Sequence, residues 1–195
     1  MKTLLIALTL VAFTEAASAQ KEVLAFDEQN QYIYYQVVDM PAYSADTLYT
    51  RGLNFLKSMD PKLKIKPAST DNTKMLSGQG KFVTQGGISV VKHANGEIAY
   101  RINIECKDGK YRYWLAGFTF TPYQRDRYGN FVPQQGIDIP LETASSRFNK
   151  KDADNYLDQT GAFCKDAGEK LKVYMLKIST VKKAVETKKI STKDW

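Results

Sequence analysis

Apolar residues recur along the chain with two different periods, and each period predicts one type of element. Residues 32–38 are rich in aromatic and β-branched side chains and precede Pro41, which predicts a strand. From Ser44 to Met59, apolar residues recur every three or four positions, which predicts an amphipathic helix capped by Ser44. Residues 60–74 are rich in Lys, Pro, Ser and Thr and predict a solvated connection.

Four more strands are predicted at residues 75–84, 88–93, 97–106 and 110–121. Asn95-Gly96 and Asp108-Gly109 are predicted to be hairpin turns between them, because Asn, Asp and Gly tolerate positive φ. Helical spacing returns from Asp152, where Gly161 and Gly168 indicate a kink or a break. The order β-α-β-β-β-β-α predicts an α+β fold, with one antiparallel sheet and both helices on one face. A helix-grip fold around an apolar cavity is the alternative.

The last predicted hairpin is the most informative segment, because its two-residue turn fixes which side chains share a face. One face carries Ile102, Ile104 and Cys106 opposite Leu115, Tyr113 and Tyr111, and is expected to meet the helices. The other face is predicted to carry Arg101, Asn103, Glu105, Arg112, Trp114, Ala116, Phe118 and Phe120.

Aromatic rings flanked by arginines are a frequent mark of a binding surface. The predicted binding residues are therefore Arg101, Arg112, Trp114, Phe118 and Phe120. The alternative is that residues 122–142, which include Tyr123, Tyr128, Phe131 and Val132, fold back over this face.

Residues 1–19 are typical of an export signal: Lys2, an apolar run from Leu4 to Phe13, and the small residues Ala17-Ser18-Ala19 at the cleavage site. We therefore expect a soluble periplasmic or cell-surface protein with one domain over residues 20–181. Because export leads to an oxidising compartment, Cys106 and Cys164 are predicted to form a disulfide, with two buried free thiols as the alternative.

The net charge of +7 is concentrated near the C-terminus, where residues 182–195 form a basic tail. This tail predicts weak contact with anionic lipid headgroups or envelope phosphates, and a solvated helix end is the alternative. The lysines concerned are Lys182, Lys183, Lys188, Lys189 and Lys193.

No recognised catalytic or metal-binding motif occurs in the sequence, so neither a cofactor nor a metal is predicted. The single histidine, His93, follows no catalytic spacing. Asp152, Asp154 and Asp158 fail the calcium-loop pattern and instead suit a helix N-terminus. A hydrolase would require Asp126, Asp138, His93 or a nearby tyrosine to converge in one pocket.

Three segments resemble domain of unknown function 4468: Tyr34-Tyr35-Gln36-Val37-Val38 before Pro41, the helix start from Ser44 to Tyr49, and the hairpin from Cys106 to Tyr113. The resemblance covers about residues 25–121. It implies an exported bacterial protein of uncharacterised function with a fold like that of TATA-box-binding protein, and it carries over no catalytic residue. Nucleic acid is not the expected partner, because export argues against it and a single half-size copy lacks the paired saddle.

The sequence thus favours a non-catalytic binding or assembly module of the periplasm or cell surface. Its expected partner is a protein, a glycan or an envelope polyanion. The alternatives are a small envelope hydrolase and a carrier of a small apolar molecule.

Overall fold

The computed structural model describes residues 23–60, 63–70, 73–86 and 93–177. The predicted export signal and basic tail lie outside these ranges. The strands are β1 (Ala25–Phe26), β2 (Tyr32–Asp39), β3 (Lys64–Thr70), β4 (Thr73–Gly86), β5 (His93–Lys107), β6 (Lys110–Arg125), β7 (Phe131–Pro133) and β8 (Ile139–Pro140). The α-helices are α1 (Ala45–Met59), α2 (Ala144–Arg147) and α3 (Lys150–Leu176).

The strands form an antiparallel sheet in the order β1-β2-β6-β5-β4-β3, with β7 and β8 both paired to β6. Strands β3 to β6 are a meander of chain neighbours. Strand β2 comes from the beginning of the chain and lies beside β6, and α1 then connects it to β3 at the opposite edge. The predicted α+β fold with an antiparallel sheet is confirmed.

Both long helices pack on the same face of the sheet, which we call the inner face. Gly52 of α1 lies against Leu76 and Ile104, and Phe163 of α3 stacks on Phe82 at 4.3 Å between ring centroids. The inner face is otherwise lined by buried residues of the central strands, among them Ile98, Tyr100, Ile102, Tyr111, Tyr113 and Leu115.

Capping residues define where the helices begin. The Ser44 side chain accepts a hydrogen bond from the backbone N–H of Thr47, and the Asn149 side chain accepts one from Asp152. Helix α3 then continues through both glycines to Leu176, so the break that was one of the two predictions does not occur. Gly168 instead allows close packing, since a Cβ there would lie 2.3 Å from the Tyr113 hydroxyl.

The segment at residues 60–74, which was predicted to be a solvated connection, contains a strand. Residues 64–70 form β3, which pairs with β4 at the edge of the sheet. Pro67 is tolerated there because an edge strand has one side without ladder hydrogen bonds. Exposed lysines and this proline gave the segment the composition of a loop.

The Asn95-Gly96 pair is not a turn. Both residues lie within β5, where Gly96 pairs with Thr84 and Ala94 pairs with Gln85, so Asn95 is the extra residue of a β-bulge. The Asn95 side chain accepts a hydrogen bond from the Thr84 hydroxyl and contacts the Tyr156 hydroxyl at 3.1 Å. Of the strand predicted at residues 88–93, only His93 lies in the described ranges, as the first residue of β5.

The Asp108-Gly109 turn between β5 and β6 is confirmed, with Gly109 at φ 76°. This turn also docks on the connection between β2 and α1. The N–H of Met40 donates to the Gly109 carbonyl at 2.8 Å, and the N–H of Gly109 donates to the Tyr43 carbonyl at 3.0 Å. The Asp108 side chain accepts a hydrogen bond from the N–H of Ala45 at 2.7 Å.

Candidate functional site

The predicted register of the last hairpin is correct as far as Ala116. Strand β5 places Ile104 opposite Tyr113 and Ile102 opposite Leu115, as expected. Beyond that point Arg101 pairs with Ala116 but Ala99 pairs with Thr119, so β6 contains one extra residue. The irregularity is at Gly117, whose φ of 67° is a conformation that favours glycine.

The bulge inverts the alternation of side chains in the second half of β6. Phe118 and Phe120 are each only 1% exposed, and Phe120 stacks on Tyr156 of α3 at 4.2 Å. The prediction that these two rings lie on the outer face is therefore wrong. The sequence signal was Gly117 itself, a glycine inside an otherwise regular strand pattern.

The remaining predicted residues lie together on the side of the sheet away from the helices, which we call the outer face. Arg101 and Arg112 are exposed there and Trp114 is half-buried. Strand β2 adds Tyr35 opposite Trp114 and Val37 opposite Arg112, with side chains 44% and 52% exposed. Local sequence reasoning missed these two residues because β2 is distant from β6 along the chain.

Arg112 is held in place on this face. Its guanidinium lies 2.5 Å from a carboxylate oxygen of Glu105 and 5.6 Å from the centre of the Trp114 ring. The hydrogen bonds to Glu105 raise the pKa of Arg112, so its positive charge is permanent. Ion pair and ring contact together fix Trp114 and Arg112 as neighbours.

A depression of about 700 Å³ lies farther along the outer face, towards β3. Ala99 and Gly117 are small residues in its lining, and a Cβ on Gly117 would lie 3.1 Å from the Arg101 guanidinium. Its lining carries three basic residues, Lys64, Lys81 and Arg101, and two acidic ones, Asp60 and Glu97. Lys81 pairs with Glu97 at 2.5 Å. Within the described ranges, Lys64 and Arg101 form no ion pair.

The segment after β6 extends the sheet and leaves the outer face around Trp114 open. Its strand β7 pairs with residues 123–125, and β8 pairs with Thr119 and Phe120. Tyr128 remains 74% exposed, and Phe131 is also exposed. Around Arg101, Arg112 and Trp114 the structure has the open face, whereas at its other end Asp138 bonds to Thr121 and the Tyr123 hydroxyl bonds to Glu97.

Each of the groups that a hydrolase would require has a local partner in the structure. Asp126 accepts hydrogen bonds from the backbone of Asn130 and Tyr128, and these lower its pKa. Asp138 accepts a hydrogen bond from Thr121 at 2.6 Å, and the His93 ring stacks on Phe131 at 5.8 Å. In the part of the chain that the structure describes, no three His, Cys, Asp or Glu side chains form a metal-binding cluster.

The two cysteines are free and fully buried, so the predicted disulfide is wrong and the alternative of two free thiols holds. Cys106 lies next to the turn end of the hairpin and interacts with Tyr111, whereas Cys164 interacts with Tyr100 and Tyr113. Helix α3 therefore places the Cys164 thiol beside other residues than those that surround the Cys106 thiol. Burial raises the pKa of both thiols to about 12.

Comparison with protein families gives a match over the central part of the chain. Residues 34–121 match the family described as domain of unknown function (DUF4468) with TBP-like fold. The resemblance to DUF4468 is confirmed. The open outer face, including Trp114, Arg101 and Arg112, lies within the matched residues.

Two solved structures share the fold. A DUF4468 family protein from Bacteroides ovatus has 13% sequence identity and a TM-score of 0.55, covering 82% of this chain and 94% of its own. A TBP-like protein from Parabacteroides distasonis has 14% identity and a TM-score of 0.52, covering 74% of this chain and 92% of its own. At these identities the DUF4468 likeness establishes the fold alone, and it favours the TBP-like over the helix-grip alternative.

Comparison with curated proteins gives no match. Across the described ranges, none of the helices has the length and apolar character that crossing a membrane requires.

Proposed function

We propose that this protein is an exported, non-catalytic binding module of the bacterial envelope that binds an acidic glycan through its outer sheet face. The observation that carries the proposal is the open surface on which Trp114 and Tyr35 lie beside Arg112, with Arg101 and Lys64 farther along the same face. Export through residues 1–19 is part of the proposal.

The side chains of this face suit a partner with both rings and negative charge. Trp114 and Tyr35 are adjacent across the β2–β6 ladder and offer flat apolar surfaces for sugar rings. Arg101 and Lys64 are free to pair with carboxylate, sulfate or phosphate groups, since neither forms an ion pair within the described ranges. A rigid sheet presents these groups with little loss of conformational entropy on binding.

The test measures binding of the mature chain to polygalacturonate, with neutral dextran and duplex DNA as comparison ligands. We expect measurable affinity for polygalacturonate that falls as salt rises, and weaker binding to the other two. The double variant Arg101→Ala/Trp114→Ala is expected to lose at least about tenfold in affinity, which corresponds to the contribution of a few charged and aromatic contacts.

The matched control is Arg127→Ala/Tyr128→Ala. These residues also form an exposed arginine–aromatic pair, 5.0 Å apart, but they lie in the turn between β6 and β7. Their removal is expected to leave affinity unchanged. Equal losses from both double variants, or equal binding to dextran, would exclude the outer face as a specific site. Preferential binding to DNA would instead assign the face to nucleic acid.

A further inference from the structure

Asn103 lies at the centre of the outer face, between its aromatic and its basic side chains. On β5 it stands opposite Trp114 of β6 on one side and Ser77 of β4 on the other, and Tyr35 of β2 continues the same row beyond Trp114. Arg101 is two residues away on β5, so the two Cα atoms are about 7 Å apart and the two side chains share a face. Asn103 therefore adjoins both parts of the proposed glycan surface.

Within the part of the chain that the structure describes, the Asn103 amide has no hydrogen-bond partner. The residue is only 9% exposed, because its neighbours on the outer face surround it. In contrast to the Tyr111 hydroxyl, which is sealed in the core without a partner, the amide atoms of Asn103 still reach solvent. Polar side chains buried to this extent nearly always have a partner, so the amide is available to a group of a bound ligand.

The chemistry of a carboxamide beside an indole ring selects among the substituents of a sugar. A carboxylate would face the Asn103 carbonyl with an acceptor against an acceptor, and Arg101 and Lys64 are the better partners for it. An acetamido group is neutral and has both a carbonyl acceptor and an N–H donor for the Asn103 amide. Its methyl group can pack on the adjacent Trp114 ring. A sugar hydroxyl can form the hydrogen bond but has no methyl group for the ring.

We propose that the outer face recognises a glycan in which N-acetylated sugars alternate with uronic acids, and that Asn103 is the specificity-determining residue. The acetamido group of one sugar forms a hydrogen bond with Asn103 and packs on Trp114, and the carboxylate of the next sugar pairs with Arg101. Glu105, the acidic neighbour of Asn103 on β5, does not repel this carboxylate strongly, because Arg112 neutralises it in an ion pair. The assignment rests on the proposed function, since it uses the same face.

The test compares oligosaccharides of hyaluronan and of polyglucuronate, with equal numbers of sugars, by titration calorimetry on the full mature chain. Hyaluronan alternates N-acetylglucosamine with glucuronate, whereas polyglucuronate has a carboxylate on every sugar and no acetamido group. Charge alone would favour polyglucuronate, so the expected preference for hyaluronan, about 5- to 10-fold, reports the acetamido group. Equal affinities, or tighter binding of polyglucuronate, overturn this assignment and leave the proposed function intact. Absence of binding to both contradicts the proposed function as well.

Asn103→Leu replaces the amide with an apolar side chain of similar size. In this variant the preference for hyaluronan is expected to disappear, while polyglucuronate still binds, because Arg101 and Trp114 remain. Asn103→Ala repeats the measurement with a side chain too small to displace the Trp114 ring. The matched control is Gln124→Leu, which removes an exposed amide from the part of β6 that pairs with β7, and it is expected to keep the preference. A preference that survives both Asn103 substitutions overturns the assignment.

Discussion

Trp114 and Phe118 are four positions apart on one strand, yet they have opposite environments. The left-handed conformation of Gly117 between them turns Phe118 into the core, whereas Trp114 stays on the outer face beside Arg112. An exposed ring contributes contact area to a partner, and a buried ring contributes to stability. The two substitutions therefore separate binding from folding.

Phe118→Ala is expected to lower the free energy of unfolding by about 3–5 kcal/mol, because a large aromatic side chain is removed from a buried site. Trp114→Ala is expected to cost less than half as much, since that ring is only half-buried. Urea denaturation of both variants, followed by circular dichroism, gives the comparison. Similar losses for the two variants would mean that Trp114 is covered in solution, contrary to the open face.

At the scale of elements, the sequence pattern predicted β2, α1, β4, the last hairpin and most of α3, because each has a clear period or a cap. It failed for β3, since an edge strand with Lys and Pro on its exposed positions has the composition of a connection. The sequence pattern did not predict the bulges at Asn95 and Gly117, because contacts with distant parts of the chain stabilise a bulge. Asn95 bonds to Thr84 and Tyr156, and the two phenylalanines after Gly117 reach the core.

The residues of the candidate site could likewise be predicted only where local alternation was sufficient. Arg101, Arg112 and Trp114 could be placed on one face by alternation alone, because they precede the bulge or lie opposite the part of β6 before it. Tyr35 and Val37 could not be added, because no local pattern reveals that β2 pairs with β6.

Deleting Gly117 tests the role of the bulge. The deletion restores simple alternation in β6, so Phe118 and Phe120 would face outward or the first half of the strand would invert. Since each buried ring is worth about 3–5 kcal/mol, the loss is comparable with the whole stability of a domain, and we expect no cooperative thermal transition. The control is deletion of Gly129, which also has positive φ, at 81°, but has no atom within 4 Å of a Cβ placed there. A cooperative melt after the Gly117 deletion would contradict the proposed role.

At the scale of the whole molecule, the core contains several weak acids that burial keeps protonated. The pKa values of Cys106, Cys164, Tyr100 and Tyr111 are all raised to about 12, chiefly by desolvation. In the unfolded chain the thiols ionise near pH 9 and the phenols near pH 10. The folded state therefore binds more protons than the unfolded state between these values and about pH 12.

We expect stability to fall as pH rises above about 9, because unfolding releases protons there. Each buried thiol contributes up to about 1.4 kcal/mol per pH unit between its unfolded and folded pKa values. Urea denaturation from pH 7 to 11, with reductant present, measures the slope. In Cys106→Ala/Cys164→Ala, the decline of stability between pH 10 and 11 is expected to be less steep, because unfolding then releases about two fewer protons, whatever the stability at pH 7. An unchanged slope would show that the thiols are solvated.

The docking of the Asp108-Gly109 turn has a consequence for the order of folding. The meander from β3 to β6 closes only short loops, whereas pairing of β2 with β6 must close one that contains α1 and strands β3 to β5, at a greater cost in chain entropy. The turn can receive residues 40–45 only after β5 and β6 have formed it. We therefore expect the meander to form first and β2 to join it last, so that the N-terminal part of a newly synthesised chain becomes ordered only after the meander has been made.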